Sequence, residues 1–272
     1  MRQNLHTHST WCDGKNTTRE MAEAAVEKGF DVLGFSGHAC VPSWDGSMSV
    51  DDTRAYVREV LELKEEFKDR LAVYLGIEAD TENRLLFKEP FKFVIGSCHS
   101  LAHEGVRLAV DYNRGISEFM LENWYRNDYR IFVREYFREV LKMKDWDEVD
   151  IVGHIDLITK FNEDESFFRF DDPFYVKEAT DAIDAFAGRK ILEVNTGAIA
   201  RGYRTSPYPA KNLLQYMKEK NVRILLSSDC HNARDLDCFF PEALELIRSC
   251  GYTSMAVFDG KEFRDTDIRE FR

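Results

Sequence analysis

The sequence predicts a single α/β domain in which a parallel sheet closes into a barrel. Three observations predict it. Strand-like and helix-like runs alternate along all 272 residues, no linker or repeat interrupts them, and nearly every strand-like run ends in a chemically capable side chain. Repeated βα units indicate a parallel sheet. An open doubly wound sheet would gather its chemical residues at one switch point, whereas a barrel presents all its strand ends on one rim. One α/β barrel commonly occupies about 250 residues.

The elements follow in order. Asn4 to His8 reads as the first strand. Thr17-Thr18-Arg19-Glu20 is a capping box that opens an amphipathic helix through Lys28, ended by Gly29. Asp31 to Ser36 is the second strand. Ser49 with Asp52 caps a helix reaching Phe67, and Leu71 to Ile77 is the third strand. Phe91 to Gly96 is the fourth. A polar insertion around Glu104 to Arg114 then precedes one long helix, Ile116 to Lys144. Val149 to Gly153 is a short buried strand. Pro173 to Ala187 is a helix with Pro173 in its first turn, and Lys190 to Asn195 is the sixth strand. Pro209 to Lys220 is a helix, Val222 to Ser227 the seventh strand, Phe240 to Cys250 a helix, and Thr253 to Phe258 a last short strand.

Hydrophobic residues make up 44% of the chain, enough for a sizeable core. The net charge is −12, from 49 acidic against 37 basic side chains. This opposes a broad nucleic-acid-binding surface, which would be basic. An anionic substrate stays compatible, because bound divalent ions reverse the local sign. No apolar run approaches the ~20 residues of a membrane span. Met1-Arg2-Gln3-Asn4 leads straight into the first strand without a secretory leader, and six cysteines show no CxxC pair. The expectation is a cytoplasmic protein with reduced thiols. Cys12, Cys40, Cys98 and Cys230 neighbour candidate ligands and read as small residues packed at strand ends.

His6 and His8 lie two residues apart on a strand, so their imidazoles point to one side. That suits two neighbouring ligands of one metal ion. Downstream, strand ends carry His38, Glu78, His99, His154, Asp229 and His231, with Asp13 just past the first. A lone histidine is usually structural; the constellation makes the case. His103, within the polar insertion, reads as a loop residue. The stretch Asn123 to Arg138 mixes aromatic and basic residues, and reads as a helix with an aromatic stripe toward the barrel rather than a nucleic-acid surface.

The matching stretches are His6-Thr7-His8-Ser9 with Cys12-Asp13-Gly14, Gly34-Phe35-Ser36-Gly37-His38, Gly76-Ile77-Glu78, Gly96-Ser97-Cys98-His99-Ser100, Gly153-His154-Ile155-Asp156, Glu193-Val194-Asn195-Thr196 and Ser227-Ser228-Asp229-Cys230-His231. In these the chain resembles the polymerase-and-histidinol-phosphatase family of metal-dependent phosphoesterases, and within it the histidinol-phosphate phosphatases. The resemblance implies a distorted (β/α)7 TIM-like barrel spanning residues 1–272 as one domain, with three divalent transition-metal ions. Carried over, the first ion takes His6, His8, Glu78 and Asp229. The second takes Glu78, His99 and His154, and the third Asp13, His38 and His231. The mixed nitrogen and oxygen set suits Zn, Fe or Mn better than Mg or Ca. Gly37 departs from the pattern. Many members carry an acidic residue there, a candidate partner of His38 that bears on occupancy of the third position.

The implied reaction is hydrolysis of L-histidinol phosphate through a metal-bridging hydroxide. Asp229 and His231 are the candidate proton donors to the leaving oxygen. Arg201 and Arg204, after the sixth strand, are candidate phosphate clamps. Lys160 is a third candidate of that kind, and Tyr203 and Tyr208 are candidate walls for a substrate ring. Two rivals remain. One is a family member acting on nucleotides, sugar phosphates or phosphotyrosine; the other is a metal-binding module without turnover. The expected partner is a small phosphorylated molecule, with no nucleic acid and no membrane, and nothing in the sequence points to a protein partner.

Overall fold

The computed structural model describes residues 1–85 and 90–272. Its centre is a parallel seven-stranded sheet made of β1 (Gln3–Asn4), β2 (Val32–Phe35), β3 (Ala72–Asp80), β4 (Phe93–Ser97), β7 (Ile151–Val152), β8 (Ile191–Asn195) and β9 (Ile224–Ser227), in that order. Just past β1 and β9, Thr7 and Cys230 form a parallel bridge. His8 N donates to Cys230 O at 3.0 Å and Cys230 N to His6 O at 3.3 Å. The sheet thereby curls into a nearly closed, distorted (β/α)7 barrel. The strands β2, β4, β8 and β9 are buried at every residue, as near-continuous apolar runs are when both faces of a parallel sheet are covered.

The helices begin where side chains can satisfy their free N–H groups. Thr17 and Glu20 form the capping box of α1 (Thr18–Glu27), and Ser49 and Asp52 that of α2 (Val50–Phe67). Asp172 caps α5 (Pro173–Phe186), with Pro173 in the first turn. α7 (Lys211–Glu219) and α8 (Phe240–Ser249) complete the outer layer. No described helix is long and apolar enough to cross a membrane.

The barrel interior below the catalytic rim is filled by Leu5, Phe93, Ile95, Ile151, Ile191 and Leu225. Ala256 and Phe258 join them from β10 (Ser254–Phe258), which forms an antiparallel hairpin with β11 (Phe263–Asp267). Phe93 occupies space that two glycines leave open. A Cβ on Gly76 would lie 2.3 Å from its ring, and one on Gly34 2.7 Å from it. Gly76→Ala is therefore expected to overpack the interior and cost about 1–3 kcal/mol. The readout is a lower urea midpoint at unchanged slope. A midpoint equal to wild type would mean that the interior can yield around Phe93.

Several elements differ from expectation. The first strand pairs only over Gln3–Asn4 and at the Thr7 bridge. The polar insertion is a hairpin, β5 (Ser100–His103) with β6 (Val106–Ala109), turning on Glu104 and Gly105, both at positive φ. Two left-handed central residues match the twist of a two-residue hairpin. His103 is thus a strand residue, its ring stacked on Trp124 with centroids 5.3 Å apart. The long helix is broken. α3 (Arg114–Phe119) runs into a π-turn over Met120–Trp124, Arg126 and Asn127 adopt positive φ, and Asp128 caps a new helix, α4 (Tyr129–Val140). The aromatic stripe survives as Phe132, Tyr136 and Phe137, buried together with Val133. Arg134 and Arg138 pair with Glu178 and Glu135.

Candidate metal centre

The C-terminal strand ends bring all nine candidate ligands together around Glu78. This carboxylate stands near the end of β3, 1% exposed. Its Oε2 lies 3.1 Å from His6 Nε2, 3.5 Å from His8 Nε2 and 3.0 Å from His38 Nδ1. Its Oε1 lies 3.5 Å from His99 Nε2 and 3.3 Å from His154 Nε2. Asp229 Oδ1 approaches the Nε2 atoms of His8 and His6, at 3.1 and 3.5 Å. Asp13 closes the outer side, 3.0 Å from His231 Nε2 and 3.7 Å from His38 Nε2. The backbone fixes this convergence. Glu78 N donates to Gly37 O and Ala39 N to Glu78 O, which ties the ends of β2 and β3 together.

The donor set fits divalent cations. His6 Nε2, His8 Nε2, both oxygens of Glu78 and His154 Nδ1 are buried without a hydrogen-bond partner among the described residues. Buried polar atoms are rarely left so unless an ion or water engages them. Four groups, His8/Asp13/His38/His231, His6/Glu78/His154, His6/His8/Asp229 and His38/Glu78/His99, each offer ligand atoms within 4.8 Å of one another. The electrostatics agree. Burial disfavours a proton on His6, yet Glu193, Glu78 and Asp229 outweigh it and raise its pKa well above the usual value. His99 is likewise driven up to about 10, against burial, by Glu78 and Asp80. A field that holds protons on buried imidazoles also favours a divalent cation in their place.

Two carboxylates without an expected role orient the ligands. Glu193 on β8 is fully buried, with Oε1 2.6 Å from His6 Nδ1. The same oxygen accepts from Ser227 Oγ, while Oε2 accepts from His154 N and Asn195 Nδ2, both at 2.9 Å. Asp80 Oδ2 sits 2.8 Å from His99 Nδ1. A carboxylate on Nδ1 keeps the hydrogen there and turns the Nε2 lone pair inward. The signal for Glu193 was a lone charge inside the otherwise apolar run of β8.

Over the cluster opens a cavity of about 340 Å³, walled by Trp44, Asp111, Tyr112, Lys160, Arg201 and Tyr203. Arg201 NH2 donates to Asp229 Oδ2 at 3.0 Å and NH1 to Asp229 O at 2.9 Å. Lys160 Nζ donates to Asp111 O at 2.7 Å and lies 3.2 Å from its Oδ2. Arg204 does not reach this wall. Its guanidinium is buried, bonded to Thr159 Oγ1 and Ser206 Oγ and packed over the Tyr208 ring. Tyr208 is wholly buried too. Arg204 is therefore corrected from phosphate clamp to interior packing, and Tyr208 from pocket wall to core.

Comparison with known proteins agrees with this geometry. Residues 4–197 match the PHP domain. The chain belongs to the PHP family. This PHP chain is 30% identical over 261 residues to a protein of Deinococcus radiodurans named a probable histidinol-phosphatase, covering 90% of this chain and 92% of that one. It is 26% identical to the histidinol-phosphatase of Bacillus subtilis, covering 88% and 97%. Its fold matches a crystal structure of histidinol phosphate phosphatase from Lactococcus lactis, complexed with Zn, L-histidinol and phosphate. The TM-score is 0.73 at 23% identity, covering 97% of this chain and 98% of that one.

The departure at Gly37 has a local cause in this PHP chain. A Cβ there would meet Met48 Cε at 3.2 Å and Cys12 Sγ at 3.4 Å, so the space at Gly37 is tight and apolar. Burial lowers the His38 pKa to about 3, which keeps the imidazole neutral, the form that binds a cation. All six cysteines are free thiols, and burial pushes Cys12 up to about 12, away from thiolate ligation.

Proposed function

We propose that the protein is a metal-dependent phosphomonoesterase that hydrolyses L-histidinol phosphate to L-histidinol and phosphate, with residues 1–272 acting as one catalytic unit in the cytoplasm. The observation that carries the substrate is likeness along nearly the whole chain to the Deinococcus and Bacillus proteins bearing the histidinol-phosphatase name. The convergence of nine nitrogen and oxygen ligands supports the metal chemistry.

Three divalent ions, Zn, Fe or Mn, would be held by His6, His8, Glu78 and Asp229, by Glu78, His99 and His154, and by Asp13, His38 and His231. Ions in such positions acidify water and draw charge from phosphoryl oxygens. The protein's own side chains do the rest. Glu193 and Asp80 hold His6 and His99 in their ligating orientation. Arg201, braced on Asp229, and Lys160, paired with Asp111, place two cations on the cavity wall, where they attract the phosphoryl group. Asp229 and His231 stand where the leaving oxygen needs a proton, given directly or through a water. Trp44, Tyr112 and Tyr203 offer aromatic surface on the cavity wall to the organic half of the substrate.

The test is a panel of phosphomonoesters with zinc-loaded protein. L-Histidinol phosphate should exceed nucleotide, sugar phosphate and phosphotyrosine in kcat/KM by orders of magnitude. A better nucleotide or phosphotyrosine would overturn the substrate, and no turnover of any ester would overturn the enzyme.

A further inference from the structure

The cavity over the centre carries one carboxylate that neither ligates nor orients a candidate ligand, namely Asp111. It follows β6, and the hairpin delivers it deliberately: Val110 N donates to His99 O at 2.8 Å, tying this segment to the rim. Lys160 holds its backbone carbonyl more closely than its Oδ2, at 2.7 against 3.2 Å. No hydrogen bond reaches its Oδ1 among the described residues. The following residue, Tyr112, is 73% exposed, and Trp44, on the same cavity wall, is 37% exposed. Arg201, His231 and Asp13 line the same cavity.

A carboxylate facing an anion pocket opposes a phosphate dianion through their like charge. Its presence is favourable when the same substrate carries a cation at that end. Lys160 pairs with the Asp111 carbonyl and with Oδ2, which leaves Oδ1 to meet that cation. The open Oδ1, in a cavity that Trp44, Tyr112 and Tyr203 also line, makes a place for a substrate ammonium.

We infer that Asp111 is the specificity-determining residue that receives the ammonium of an amino-alcohol phosphate, while the phosphoryl group lies over the His and carboxylate cluster. This rests on the phosphatase reading above and adds the residue that selects the amine.

The test compares L-histidinol phosphate with its deamino ester, which keeps the imidazole and phosphate but has CH2 in place of the amine-bearing carbon. The ratio of their kcat/KM values is read with zinc-loaded protein. In wild type the ratio should be at least about tenfold, the worth of one charge-assisted hydrogen bond. In Asp111→Asn it should fall at least about tenfold, chiefly through KM, with Asp111→Glu recovering part of it. A wild-type ratio near one, or a ratio unchanged in Asp111→Asn whatever the absolute rates, overturns the assignment. Should Asp111→Asn not fold, inhibition of wild type by L-histidinol and by the deamino alcohol decides. The amine should bind at least about tenfold tighter, and equal inhibition overturns the role of Asp111. Turnover of neither ester by wild type removes the phosphatase reading as well, whereas the other failures strike Asp111 alone.

Discussion

Glu78→Gln is expected to lower kcat/KM on L-histidinol phosphate by about 10³-fold, equivalent to ~4 kcal/mol of lost transition-state stabilisation. The change is nearly isosteric, so barrel packing has little reason to fail. What it removes is the one negative charge within about 3.5 Å of five imidazoles: His6, His8, His38, His99 and His154. Both oxygens of Glu78 are buried and lack hydrogen-bond partners among the described residues, so each offers lone pairs to the cluster. An amide offers one weaker oxygen and turns an N–H toward the imidazoles. An amide is also a poorer ligand than a carboxylate for any cation held at this cluster. Elemental analysis should find less zinc bound per chain, alongside the kinetic loss. A folded Glu78→Gln protein with wild-type zinc content and activity within tenfold would sink this account.

The ligands were legible because histidine and carboxylate at successive strand ends are chemically distinctive and because the rim of a barrel gathers strand ends. Backbone order alone thus brought His6, His99 and His154 within 3.5 Å of Glu78, and Asp229 within 3.5 Å of His6. Side-chain direction on loops was not legible. Arg201 and Arg204 are three residues apart on one rim, yet the first braces on Asp229 and the second turns inward to Thr159. Position on a loop does not determine which way a long side chain leaves it.

Helix continuity failed for a related reason. Apolar spacing runs smoothly through Asn123 to Arg138, but Arg126 and Asn127 enter the left-handed region and interrupt it. Asn tolerates that conformation, and the pattern of apolar residues does not report it. The missed hairpins carried turn signals, Glu104-Gly105 and Asp259-Gly260, the second closing β10 onto β11. Glu193 was readable in principle, since a carboxylate within a wholly buried strand needs a partner.

Stripping metal from the protein with a chelator should lower its thermal midpoint as well as its activity. The buried centre gathers three carboxylates and six imidazoles whose ligand atoms converge only in the folded chain. The unfolded chain scatters them from residue 6 to residue 231. An ion that binds the folded form at 100 times its Kd contributes about 2.7 kcal/mol. For a chain of this size that corresponds to a shift of about 5–10 °C. Differential scanning calorimetry of zinc-loaded and chelator-dialysed protein measures it. The shift should grow with zinc concentration, since the coupling is one of mass action, and should shrink in Glu78→Gln, which keeps the shape of the site but not its charge. Equal midpoints with and without zinc would mean that no ion binds the folded centre in preference to the unfolded chain, and the ligand assignment would fall with it.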